Sequence, residues 1–184
     1  MKQQSELRTL LQLMSLGFLL NFLCGLGGAF FEPESMEQVV AWQFGDTSAI
    51  MASILASRYI GSRNEHLAAG GFTLLCITYG ISFASSSFNA VNEEKMATIL
   101  LPLAPSMLLV SFCTLFPIWL RIGSGMVCIP FFFIYNHVFK QTYQPDDWSN
   151  YIGYSSIQLL GIVWSIFLWK DFAKVQREAK QPLS

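Results

Sequence analysis

The polar segments that separate the apolar segments of this chain are alternately rich and poor in basic residues. Six segments have the length and composition of a membrane-spanning helix, which needs about 20 mostly apolar residues: 9–31, 36–60, 67–89, 98–120, 122–139 and 151–170. The segments assigned to one side of the membrane contain only two basic residues, Lys95 and Lys140. On the other side they contain nine basic residues: Lys2, Arg8, Arg58, Arg63, Arg121, Lys170, Lys174, Arg177 and Lys180. Because basic loops face the cytoplasm, the pattern predicts an all-α bundle of six transmembrane helices with cytoplasmic N- and C-termini.

The second of these segments is the weakest, because its apolar run covers only 47–60 and Asp46 precedes it. We still expect it to span the membrane. Without this span, Arg58 and Arg63 would lie on the acidic side and the alternation of charge would break. The prediction of six spans therefore depends on loop charge as much as on hydropathy.

Composition agrees with a single membrane domain. Of the 184 residues, 53% are hydrophobic and 12% are charged, whereas a soluble domain has about 25% charged residues. We expect one transmembrane domain over 1–184, ending in a cytoplasmic polar tail at 171–184. A plasma membrane or a bacterial inner membrane is the expected location, with membrane lipids as partners. The net charge of −1 argues against a nucleic-acid partner, which favours a clustered basic surface.

No recognisable cofactor or catalytic motif is present. Each of the four cysteines lies alone in an apolar segment, as expected of buried free thiols. His66 and His137 lie at opposite ends of the predicted bundle, too far apart to share a haem. We therefore expect no cofactor and no metal, and no catalytic residue can be named. This favours a function other than catalysis, although the enzyme class stays open.

Small residues line one face of each of the first two spans. Such residues let helix backbones approach closely in a membrane, where van der Waals contact drives association. The pattern predicts that these two helices pack against each other or against a sister subunit. The residues concerned are Gly17, Asn21, Gly25 and Gly28 in the first span and Ala49, Ser53 and Ser57 in the second.

Polar residues of several spans share one depth, in the half of the bundle nearest the outer side. Apart from Glu37 at the very start of the second span, Asp46 is the only carboxylate placed within a predicted span. Ionisable groups inside a bilayer usually face the bundle interior or water, and His137 lies at a similar depth. We therefore predict that this layer holds a ligand. The candidate binding residues are Asp46, Tyr79, Ser82, Ser86, Asn89, His137, Tyr154 and Gln158.

Three functions are compatible with these observations. The first is binding or transport of a small polar or amphipathic molecule in the polar layer. The second is an accessory or assembly subunit of a larger membrane complex, or a homo-oligomer, joined through the small-residue faces. The third is a membrane-embedded isomerase or cyclase with Asp46 and His137 as acid and base. Convergence of the polar side chains on one another would favour the first and third functions.

Overall fold

The described chain is entirely helical. The computed structural model describes residues 2–32, 35–86, 93–144 and 147–178, and every regular element within these ranges is an α-helix. Val127 alone separates the fifth helix from the sixth. The helices are α1 (Lys2–Gly28), α2 (Met36–Ser62), α3 (His66–Ser86), α4 (Glu93–Val110), α5 (Ile118–Met126), α6 (Cys128–Phe139) and α7 (Trp148–Glu178).

Length and composition allow five segments of the described chain to cross a membrane: Gln4–Gly28, Met36–Ser62, His66–Ser85, Ile118–Phe139 and Trp148–Glu178. Large apolar side chains such as Leu23, Ile54 and Phe132 are at least half exposed, whereas serines such as Ser53, Ser106 and Ser124 are fully buried. A soluble protein would not leave so much apolar surface on most of its helices. This distribution is the one expected of a protein embedded in a membrane.

The fourth predicted span ends earlier than expected. α4 stops at Val110 rather than at residue 120, and its described apolar part is the shorter stretch Leu101–Val110. Turns occupy 111–117, and Pro117 is the N-cap of α5. The side chain of Glu65 accepts hydrogen bonds from the backbone N–H and the hydroxyl of Thr114, which holds these turns against the start of α3. The boundary predicted near residue 121 was therefore wrong, because apolar residues continue through a turn that hydropathy does not detect.

The predicted polar tail is in large part helix. α7 continues without a break to Glu178, and residues 179–184 lie outside the described residues. Asp171 accepts hydrogen bonds from Arg63 Nε at 2.9 Å, from Arg63 Nη2 at 3.3 Å and from the Tyr59 hydroxyl at 2.8 Å. Phe172 is buried. The first part of the predicted tail, 171–184, thus belongs to the bundle, because these contacts tie it to the end of α2.

The helices form a closed ring. α1, α2, α3 and α4 each pack against the next, α4 packs against α5 and α6, and α7 packs against both α6 and α1. Gln4 near the start of α1 and Gln176 near the end of α7 line one cavity together with Arg63 at the end of α2. The start of α1 and the end of α7 therefore lie at one end of the bundle, called here the terminal end. The opposite end, where α2 and α7 begin, is called the distal end.

Trp164 occupies the middle of this ring. The side chain belongs to α7 and has no exposed surface. Its ring meets Phe72 of α3 edge-on, with centroids 5.0 Å apart, and Phe18 of α1 at 6.2 Å. Its indole N–H donates to Ser124 Oγ in α5 at 3.1 Å, and the Ser124 hydroxyl donates to the carbonyl of Leu120 at 2.9 Å. One residue therefore connects four helices and leaves no polar atom of its side chain unpaired.

The first two helices pack closely, although not with all the predicted partners. A Cβ at Gly17 would lie 2.7 Å from the carbonyl oxygen of Ser48, so only glycine allows this approach of α1 to α2. Gly25 instead lies against the side chain of Gln158 in α7. The Ser57 hydroxyl donates to the carbonyl of Ala69, so it faces α3. The predicted pairing was wrong at Gly25 and Ser57, because spacing identifies a common face but not the helix opposite it.

Replacement of Trp164 by alanine should destabilise the bundle strongly. Removal of a fully buried tryptophan leaves a cavity and typically costs about 3–5 kcal/mol, and the hydroxyl of Ser124 would also lose its donor. Trp148 of α7 is 56% exposed and provides the matched control. Unfolding in detergent, followed by circular dichroism, should show a large loss for Trp164→Ala and a small one for Trp148→Ala. Equal losses would contradict a central role for Trp164.

The orientation of the bundle is also open to a direct test. We expect the terminal end to be cytoplasmic, because nine of the eleven basic residues in the sequence are assigned to that side and only two to the other. Single cysteines at Ser62 and Gln144, in a variant without the four native cysteines, would report on the two ends. An impermeant maleimide should label Gln144→Cys in intact cells and Ser62→Cys only after permeabilisation. Labelling of both from one side would overturn the predicted topology.

Candidate functional site: a polar layer near the distal end

Asp46 and Ser82 form the core of the site. Asp46 lies about 15 Å along α2 from its distal end, given a rise of 1.5 Å per residue. The hydroxyl of Ser82, near the distal end of α3, donates a hydrogen bond to the Asp46 carboxylate. The two residues come from neighbouring antiparallel helices, and Ser57 binds α3 further along the same face of α2. The α2–α3 contact therefore positions the carboxylate towards another helix rather than towards lipid.

Two tyrosines complete the immediate surroundings of this carboxylate. Tyr79 of α3 and Tyr154 of α7 both lie within electrostatic range of Asp46. Asp46, Tyr79, Ser82 and Tyr154 are each partly buried, so neighbouring helices surround them while each keeps some accessible surface. The carboxylate thus lies among hydroxyl-bearing side chains without being fully enclosed. Three helices supply these groups, as the shared depth of the residues predicts.

Amide side chains lie along the α1 side of the layer. Gln158, one turn beyond Tyr154 on α7, occupies the space beside Gly25 of α1. Asn21, one turn before Gly25, is 3% exposed and its amide lies against Gly45, the residue that precedes Asp46. Its Oδ1 atom accepts no hydrogen bond from any described residue. The layer therefore contains a buried acceptor without a donor, which is uncommon in folded proteins.

His137 does not belong to this layer. Its Nδ1 lies 3.2 Å from the hydroxyl of Thr142, and its Nε2 lies 3.9 Å from Asp147. Both partners belong to the segment between α6 and α7, and within the described part of the chain His137 forms no hydrogen bond or ion pair with Asp46. The predicted Asp46–His137 pair is therefore wrong. The prediction was based on the common depth of the two residues, and depth does not determine the direction in which a side chain points. His137 lies where α6 ends, and its side chain points to the adjoining loop.

Two predicted site residues remain, Ser86 and Asn89. Asn89 lies outside the described residues, and so does the side chain of Ser86. Their predicted part in the layer stays a prediction.

Tyr143 is a neighbour of the layer that the sequence did not identify. It belongs to the segment between α6 and α7, is hydrogen-bonded to Asn150, and lies within electrostatic range of Tyr154. Burial raises the pKa of Tyr143 to about 12, so its phenol is uncharged at neutral pH. Phe131 of α6 meets the ring of Tyr154 edge-on at 5.6 Å. No periodic signal marks a loop aromatic of this kind, which explains why only the helical residues were predicted.

Other candidate sites in the described structure are less suitable. The four cysteines are unpaired, and burial raises the pKa of Cys113 to about 12, which disfavours a reactive thiolate. A cavity of about 190 Å³ at the terminal end is lined by Arg63, but Asp171 already neutralises this guanidinium. Within the described ranges, no three His, Cys, Asp or Glu side chains are grouped to hold a metal ion.

No family model, curated protein or solved structure matches the chain. The chemistry of the polar layer is therefore the basis on which its function can be argued.

The contact between Asp46 and Ser82 should be measurable as an interaction energy. A double-mutant cycle with Asp46→Ala and Ser82→Ala should give about 0.6–2 kcal/mol in detergent unfolding, the range found for hydrogen bonds between membrane helices. Thr78 of α3 donates to Leu74 of its own helix and is the matched control. A cycle of Asp46→Ala with Thr78→Ala should give an interaction energy near zero. Equal values in the two cycles would show that Asp46 does not depend on Ser82.

Proposed function

We propose that this chain is a multi-pass membrane protein whose polar layer binds a small polar or amphipathic molecule. The observation that carries the proposal is a partly buried carboxylate, Asp46, with hydroxyl-bearing side chains of α3 and α7 close to it. A charged group is costly at such a position unless it meets a partner or water. Hydroxyl and amide groups around it supply hydrogen-bonding partners, as in many ligand sites with few polar groups.

Access to the layer is expected from the distal end. Trp164 lies about 15 Å further along α7 than Tyr154, and its contacts with Phe18 and Phe72 fill the bundle at that level. A molecule bound beside Asp46 would therefore be separated from the terminal end by a packed aromatic cluster. With the predicted orientation, the site opens to the outer side of a plasma membrane or a bacterial inner membrane. Transport across the bundle would require Trp164 to leave its position, so binding is the simpler function.

The other two hypotheses have less support. The small-residue face of α1 is occupied within the chain, since Gly17 contacts α2 and Gly25 contacts Gln158 of α7. A sister subunit or a larger complex is therefore not needed to cover this face. The isomerase or cyclase hypothesis relied on Asp46 and His137 as an acid–base pair, and His137 instead contacts Thr142 and Asp147.

Thermal unfolding of the purified protein in detergent tests the proposal. A panel of small amines, zwitterions and polyols should include at least one compound that raises the unfolding temperature in a saturable manner, because a ligand of the folded state stabilises it. Asp46→Asn should abolish that rise. Glu37→Gln makes the same chemical change at an exposed position on the same helix and should preserve it. A rise of equal size in both variants would place binding elsewhere.

A further inference from the structure

The last turns of α7 extend beyond the hydrocarbon core of a membrane. α7 has 31 residues, and Lys170 lies about 33 Å along it from Trp148, given a rise of about 1.5 Å per residue. The hydrocarbon core of a bilayer is about 30 Å thick. Trp148 is 56% exposed, as expected of a tryptophan at the headgroup level. With Trp148 at the distal boundary of the core, Lys170 and the residues after it lie among the headgroups of the terminal end.

Three basic residues continue the lipid-facing side of α7. Exposed apolar residues recur on this helix every seven positions, at Ile152, Leu159 and Ile166, so they lie on one face. Positions 170, 174 and 177 follow at spacings of four, four and three, which extend the same face. All three positions are exposed and basic: Lys170, Lys174 and Arg177. One surface of α7 therefore changes from apolar to basic at the depth where the headgroups begin.

The basic residues border a surface cavity of about 310 Å³, which is lined by Lys170, Ala173, Lys174, Arg177 and Glu178. The short side chain of Ala173 leaves space that the longer side chains around it enclose. Glu178 Oε1 lies 3.9 Å from Lys174 Nζ, so the lining combines three positive charges with one negative charge. An anion is therefore the occupant whose charge complements this cavity.

Aromatic rings lie on the membrane side of the cavity. The ammonium nitrogen of Lys170 lies 4.6 Å from the centre of the Phe167 ring, and that ring meets Trp119 of α5 edge-on at 5.6 Å. Trp119 is 58% exposed and the adjacent Ile118 is 65% exposed. The cations thus lie directly beside an exposed apolar surface. A free phosphate would match only the basic part of this surface, whereas an anionic amphiphile matches both parts.

We propose that the face of α7 formed by Lys170, Lys174 and Arg177 binds the headgroup of an anionic phospholipid, whose acyl chains lie beside Ile166 and Trp119. With the predicted orientation, this headgroup belongs to the cytoplasmic leaflet, where anionic lipids attract basic segments next to a membrane-spanning helix. The surface lies at the opposite end of the bundle from the polar layer, and neither function requires the other.

Native mass spectrometry of the full chain, released from detergent micelles, counts the lipids bound to each molecule. Dioleoyl phosphatidylglycerol should bind more tightly than dioleoyl phosphatidylcholine, which has the same acyl chains and no net charge. Lys170→Gln/Arg177→Gln should weaken phosphatidylglycerol binding at least about tenfold, because each basic residue near an anionic surface contributes about fivefold. Phosphatidylcholine binding should not change. The control Arg58→Gln/Lys140→Gln removes the same charge from exposed positions on other parts of the bundle and should leave phosphatidylglycerol binding nearly unchanged.

A second variant, Ala173→Leu, separates a headgroup site from general attraction between charges. It fills the cavity without changing any charge, so it should weaken phosphatidylglycerol binding several-fold. Unchanged binding in this variant, equal losses in the two double variants, or equal binding of the two lipids by the wild-type protein would each overturn the proposal. Glycerophosphoglycerol is the same headgroup without acyl chains. If it competes at the same concentration as the lipid, the surface recognises a free phosphate and the lipid site is wrong.

Discussion

The burial of Trp164 is the interaction on which the arrangement of helices depends. Among the described residues its indole is the largest fully buried side chain, and it contacts α1, α3 and α5 from a position on α7. In a membrane no hydrophobic force draws helices together, so packing and hydrogen bonds must determine their relative positions. A single rigid ring with one satisfied N–H performs both tasks. Gly161, one turn earlier on α7, makes this packing feasible, since a Cβ there would collide with the ring of Phe18.

Buried polar groups have different partners in the two halves of the bundle. In the terminal half, several buried polar groups have a protein partner: Trp164 binds Ser124, Trp169 binds Ser15, and Asp171 binds Arg63 and Tyr59. Ser53 Oγ, also buried, has none among the described residues. In the distal half, Asp46 has a neutral donor only, and Asn21 Oδ1 has none among the described residues. The two halves thus differ in the partner of their carboxylate: Asp171 meets a guanidinium, and Asp46 meets a neutral hydroxyl.

Hydropathy and loop charge were sufficient to predict a helical membrane architecture, because lipid requires long apolar segments with internally bonded backbones. The same signal could not locate the turn before Pro117, since residues 111–117 are as apolar as the helices beside them. It also gave no indication of the contacts of Phe172 and of the Asp171–Arg63 pair, because these join segments that are distant in the sequence. Helix length is therefore predictable from sequence only where the membrane, rather than tertiary contact, determines it.

The polar layer illustrates a second limit of sequence. The position of a residue along its helix indicates its depth in the membrane, and this depth placed Asp46 in one group with Ser82 and Tyr154. The direction of a side chain around the helix axis depends on how each helix is rotated in the bundle, and that rotation follows from packing. His137 shares the depth of Asp46 but belongs to a helix end, where the nearest groups are those of its own loop. Asn21 lies in the turn of α1 that contacts Gly45, the residue before Asp46. The chemistry of the layer thus follows from helix packing as much as from its polar residues.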